Sequence, residues 1–167
     1  MANNITGLDE VQAKLRQLGN ERKAKNAATR ASRKAMNIVK KEARENAKRL
    51  DDKDSPEKIW KNIITKAART RGTGFVVMRV GVKGGASQYA NTRVNRRAGR
   101  AGRTYQTQGD KKNPGGDTWY WRLVEYGSAT NNATPFMRPA LNNNQAAVQA
   151  EFARAYSAEL DKEIAKL

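Results

Sequence analysis

The chain has 167 residues, enough for one domain, but a mean hydropathy of −0.89 and a hydrophobic content of 38% leave its core thin for that length. Its formal net charge of +17, from 33 Lys and Arg against 16 Asp and Glu, marks a polyanion as a candidate neighbour. With no Cys and no His, it lacks disulfides, the usual zinc ligands and the commonest general base, so neither an enzyme nor a cofactor is expected.

Ile5, Leu8, Val11, Leu15 and Leu18 recur at three and four residues, the spacing of one face of a short helix. Thr6 or Asp9 is its candidate cap and Gly19-Asn20 its stop. A second helix is predicted from about Glu21 to Leu50. Its narrow apolar stripe is mostly alanine (Ala24, Ala27, Ala31, Ala35, Ala43, Ala47, with Ile38 and Val39), and Lys and Arg fill the other faces. Asp51 to Pro56 reads as a linker. A short helical turn after Ser55-Pro56 is expected to bury Ile59, Trp60, Ile63 and Ile64, with Trp60 as a core residue over the sheet. Asp51, Asp52 and Asp54 are weak candidates for a hard cation beside Lys53 and are expected to be solvated.

Phe75 to Val82 alternates as a strand, and Trp119 to Tyr126 alternates in the same way, so the two are the expected antiparallel pair. Residues 83–116 carry eight cationic side chains (Lys83, Arg93, Arg96, Arg97, Arg100, Arg103, Lys111, Lys112) against Asp110 alone, with scattered glycine and few large apolar residues. A connection longer than about 15 residues inside a small domain is functional or disordered. It reads as a protruding basic arm, a long hairpin with Tyr89–Val94 and Thr104–Thr107 as weak strands, or as a solvated loop. Such an arm contacts either protein or DNA. From Thr134, a candidate cap, and Pro135, a candidate first helical residue, a closing helix is expected to run to the end, passing through Asn142–Asn144. Its face is Ala147, Val148, Phe152, Ala155, Tyr156, Leu160, Ile164 and Leu167. Glu151, Glu159, Asp161 and Glu163 make it the most acidic part of the chain, able to pair with the basic second helix within one subunit or across a boundary. The whole is predicted as a single α+β domain: helical over 1–68, a small antiparallel sheet within 75–126 with the arm at 83–116, and a C-terminal helix at 134–167 packed on the sheet.

Val124-Glu125-Tyr126-Gly127, a polar loop, and then Thr134-Pro135-Phe136-Met137-Arg138-Pro139-Ala140-Leu141 form a specific pattern of two prolines, an arginine and aromatics in fixed order. This pattern resembles the signature of the neck and tail-completion family of long-tailed bacteriophages. The likeness is specific over these residues; elsewhere it is one of overall plan. It implies a structural virion protein of the neck or tail top that assembles as a homo-oligomeric ring, six copies being the candidate number. By the same resemblance, its partners are head-closure and tail-terminator proteins, with transient contact to genomic double-stranded DNA. Val124, Glu125, Tyr126, Gly127, Pro135, Phe136, Arg138 and Pro139 would shape the fold and a subunit contact, with Glu125 and Arg138 as the polar pair.

The alternative from another class is a basic protein that binds nucleic acid without sequence preference, since no helix-turn-helix or similar reading element is evident. No phosphate-cradling glycine loop is present; KGGAS at 83–87 has too few of its elements. No run of about 18 apolar residues occurs, and the polar start MANNITGLDE is unlike a signal peptide, so synthesis in the host cytoplasm without membrane contact is expected.

Overall fold

The computed structural model describes residues 8–68, 70, 75–83, 86–106 and 113–167. The fold is α+β. Helix α1 (Leu8–Leu18) and helix α2 (Glu21–Leu50) meet at the predicted stop. Gly19 takes φ +53° and donates its N–H to Leu15 O at 3.2 Å, while the Asn20 side-chain oxygen accepts from Lys23 N at 3.0 Å. One residue closes the first helix and the next opens the second. Ile5 and Thr6 lie outside the described residues.

The chain then forms α3 (Ile59–Asn62), β1 (Ile63–Ala67), β2 (Met78–Val82), β3 (Ala86–Gln88), α4 (Arg93–Arg97), β4 (Thr104–Gln106), α5 (Trp121–Tyr126), α6 (Met137–Asn142) and α7 (Gln145–Ile164). There are two two-stranded sheets among the described residues, β1 with β2 and β3 with β4. Two compact units result. One is built from the described parts of Met1–Val39, Thr65–Arg79 and Asn144–Leu167, the other from Lys40–Ile64 and Val80–Asn143, so α2 and the β1–β2 ribbon contribute to both. No described helix is long and apolar enough to cross a membrane.

In the first unit Leu18, Ala27 and Leu160 are buried together, with Val11, Leu15, Ala24, Tyr156 and Ile164 packed around them. The alanines of α2 let its backbone come close to both partners. The acidic face of α7 turns toward the basic face of α2. Arg30 reaches Glu159 and Glu163, each at 2.6 Å, and Lys34 reaches Glu159 at 2.8 Å. Lys14 of α1 holds Asp161 and Glu10, both at 2.8 Å. The pairing left open by the sequence is therefore made within one chain.

In the second unit Phe136, Ile63, Asn62, Thr118 and Glu125 are among the most deeply buried side chains. Several expectations are corrected here. Residues 119–126 do not form a strand: Trp121–Tyr126 is helix α5, and the antiparallel partner of β2 is β1, shown by the bonds Ala68 N to Val77 O and Lys83 N to Asn62 O. Ile63 and Ile64 accordingly begin a strand instead of continuing a helical turn. Burial in 119–126 centres on Glu125, with Tyr120, Trp121 and Val124 half-buried and Leu123 exposed, a helical rhythm. The alternation of aromatics conceals it because the deepest residue is a carboxylate.

The closing helix begins at Met137, not at Pro135, and it is two helices: Asn143 and Asn144 end α6 and open α7. The buried face of α7 meets α1 and α2, where a sheet was expected. Trp60 is half-buried and not a core residue; Lys48 and Lys61 place their ammonium groups 4.9 and 5.6 Å from its ring centre. Asp51 is engaged as the cap of α3, accepting from Ile59 N and Trp60 N.

Candidate functional site

The signature residues fold into a clasp between α5 and α6. Gly127 follows α5 at φ +80°, and a Cβ there would lie 3.0 Å from Ala133 N and 3.1 Å from Asn131 O. Both the conformation and the close approach therefore call for glycine. The loop beyond it is held by Ser128, whose N–H donates to Asn131 O at 2.9 Å and whose Oγ accepts from Asn131 N at 3.1 Å. Thr134 N donates to Val124 O at 2.8 Å, which brings the chain back alongside α5. Thr134 makes no cap through its side chain.

The cap comes from Glu125 instead. Its side chain is 1% exposed. Oε2 accepts from Phe136 N at 2.8 Å and Met137 N at 2.9 Å, and Oε1 accepts from Arg138 N at 3.0 Å. A helix leaves its first four amides without internal partners. Here three donate to one carboxylate and the fourth residue, Pro139, has no N–H to satisfy. The second proline of the signature is thus tolerated inside the first turn for a simple reason. A negative charge at this end also suits the dipole of the backbone.

Arg138 completes the arrangement: its Nε donates to Glu125 Oε1 at 3.2 Å, its Nη2 donates to Glu125 O at 2.7 Å, and its guanidinium lies 5.1 Å from the Tyr126 ring centre. Phe136 is wholly buried behind the clasp, and its carbonyl accepts from the Asn46 side chain at 3.3 Å. The structure therefore brings together Val124, Glu125, Tyr126, Gly127, Phe136, Arg138 and Pro139. Pro135 stays exposed just before the helix. Leu123, Tyr126 and Leu141 are exposed on α5 and α6, Tyr126 by 64%.

The described part of the basic arm, residues 86–106, is folded. Strands β3 and β4 pair in antiparallel register with Ser87 opposite Tyr105, and Tyr89 extends the ladder by donating to Arg103 O and accepting from Gly102 N, both at 3.0 Å. The expected strand at Tyr89–Val94 is replaced by a loop and the helix α4. Thr92 caps that helix by accepting from Asn95 N at 3.2 Å, and Asn95 then receives Arg100 N and Ala101 N on its carbonyl. Gly99 and Gly102 supply positive φ at the tip. Arg96 is tied to Asn91, and Arg100 donates to Asn95 while lying over Tyr89 at 4.9 Å. Arg93, Arg97 and Arg103 are exposed and make no such ties among the described residues, and Val94 is exposed among them. Lys111 and Lys112 lie outside the described residues.

A node at the root of the arm escapes sequence reasoning. Buried Asn62 accepts from Gly115 N at 2.8 Å and donates to Gly116 O and Thr118 Oγ1, both at 2.9 Å; its carbonyl accepts from Lys83 N at 2.7 Å. Gly115 donates and accepts at this point, because Lys58 N reaches its carbonyl at 2.8 Å, and a Cβ on it would collide with the Lys58 carbonyl. The available signals are an asparagine beside Lys61 among the apolar residues Ile59, Trp60, Ile63 and Ile64, and the double glycine at 115–116. No family model, curated protein or solved structure matches the chain.

Proposed function

We propose that this chain is a structural protein of the neck or tail top of a long-tailed bacteriophage, assembling with copies of itself into a ring that helps join tail to head. The reading begins from the signature resemblance, and one observation supports it most directly. The clasp has its polar interior satisfied by Glu125 and Arg138, yet it turns Leu123, Tyr126 and Leu141 outward. A rigid helix pair with apolar side chains on its outer surface is suited to a neighbour's surface. Head-closure and tail-terminator proteins are the further partners this role implies, and the virion is the place. Within that role the arm acts mainly as a protein-contacting tether, since a dense lining of phosphate contacts would retard DNA sliding through a conduit.

Light scattering over a range of concentrations, together with the protein content of purified particles, tests the reading. A ring-sized species that is also present in particles is the expected result. A chain that remains monomeric and is missing from particles overturns it in favour of a free, basic nucleic-acid-binding protein.

A further inference from the structure

A cationic concavity lies along α2. It is a cleft of about 280 Å³ lined by Lys40, Lys41, Arg44, Glu45, Lys48 and Trp60. That volume is close to the lower end for small-ligand sites. Lys40, Lys41, Arg44 and Lys48 share one side of the helix because they are spaced at three, four and eight residues. Arg44 is held in place by donating from Nε and Nη2 to Ile63 O at 3.2 and 2.9 Å, which leaves its remaining N–H groups for a ligand. The one acid, Glu45, is engaged by Lys48 at 2.9 Å. The cleft thus presents positive charge and one indole wall.

We propose that this cleft binds single-stranded nucleic acid, with phosphates on Lys40, Lys41 and Arg44 and an unpaired base stacked on Trp60. Cations alone would serve any polyanion, including an acidic peptide. The indole decides between them: an aromatic wall beside a row of cations is how strands with exposed bases are held without sequence preference. A duplex offers the same phosphates but no free base face. Lys48 and Lys61 now flank the ring, and a base arriving there replaces the weaker interaction of an exposed ammonium with stacking while the displaced lysine gains a phosphate.

The test is a titration of the full chain with a short oligothymidylate, the same length of duplex, and a mononucleotide, followed by tryptophan fluorescence and anisotropy at several salt concentrations. The expected result is quenching that disappears in Trp60→Phe, and at least tenfold weaker strand binding in Lys40→Ala/Lys41→Ala. The salt slope of that double variant should fall by about 1.4, near 0.7 for each phosphate no longer neutralised. Wild-type duplex binding should be weaker than strand binding. Strand binding left intact by Lys40→Ala/Lys41→Ala but abolished in Arg93→Ala/Arg97→Ala overturns the proposal and puts the binding surface on the arm. Equal affinity for duplex and strand overturns it as well, as does binding of the mononucleotide with no gain on lengthening, or no binding at all. The ring measurement reports on the assembly role separately, so either idea can fail alone.

Discussion

Glu125 ties helix α5 to the first turn of α6. It is buried, it caps three amides of α6, and it holds Arg138 by two bonds. Glu125→Ala strands those amide donors and leaves the half-exposed Arg138 only its bond to the backbone oxygen, so a loss of about 2–4 kcal/mol is expected in urea unfolding. Glu125→Gln keeps one acceptor oxygen but turns an amide NH₂ toward backbone donors, and about 1–3 kcal/mol is expected. Phe136→Ala leaves a cavity where no solvent reaches, for about 3–5 kcal/mol by the same measurement. If Phe136→Ala unfolds like the parent, its ring does not carry the packing described here. In contrast, Leu123→Ser with Tyr126→Ser changes only exposed positions and should leave stability within about 1 kcal/mol while reducing the ring population in light scattering.

At the scale of elements, the α2–α7 ion-pair network makes a prediction about acid. Bonds from Lys34 and then Arg30 hold the Glu159 carboxyl down to about 2, and Arg30 lowers Glu163 as well. A carboxylate with a depressed folded-state pKa stabilises the native chain above its ordinary range, and that stability is lost as pH falls. Helix α7 should therefore weaken progressively between about pH 4.5 and pH 2, and Glu159→Gln should flatten that part of a melting-temperature profile. The helices α1 and α2 and the stop between them are legible in the sequence because each signal there is local: apolar spacing, a glycine and a capping asparagine. The same holds for the basic character of the arm. A cap supplied from elsewhere in the chain is not legible in this way. Thr134 and Pro135 look like a helix start, but the acceptor is Glu125, and the helix begins where that carboxylate meets it. Trp121–Tyr126 passes for a strand for the related reason that a buried acid looks like a surface residue to any hydropathy pattern.

For the whole molecule, two compact units share one long helix, and few large apolar residues fill either. The six buried residues Ala27, Ala31, Ala35, Val39, Ala43 and Ala47 follow one another at steps of four. At 3.6 residues per turn such a line drifts about 40° at each step. Its buried edge is therefore a shallow spiral along the helix. Replacing 90–101 by a two-residue turn should spare both units, because the roots of the arm are fixed independently of its tip; circular dichroism and urea unfolding check this. Under the assembly reading, the shortened chain should be soluble and fail in particle attachment.

Both ends of that excursion leave from a single asparagine: Asn62 takes Lys83 on its carbonyl and Gly115 on its carboxamide. Entrance and exit are therefore stitched at one spot by groups that do not depend on what is threaded between them. The position behaves as a cassette. Foreign peptides or a small domain with adjacent termini should graft there with little disturbance.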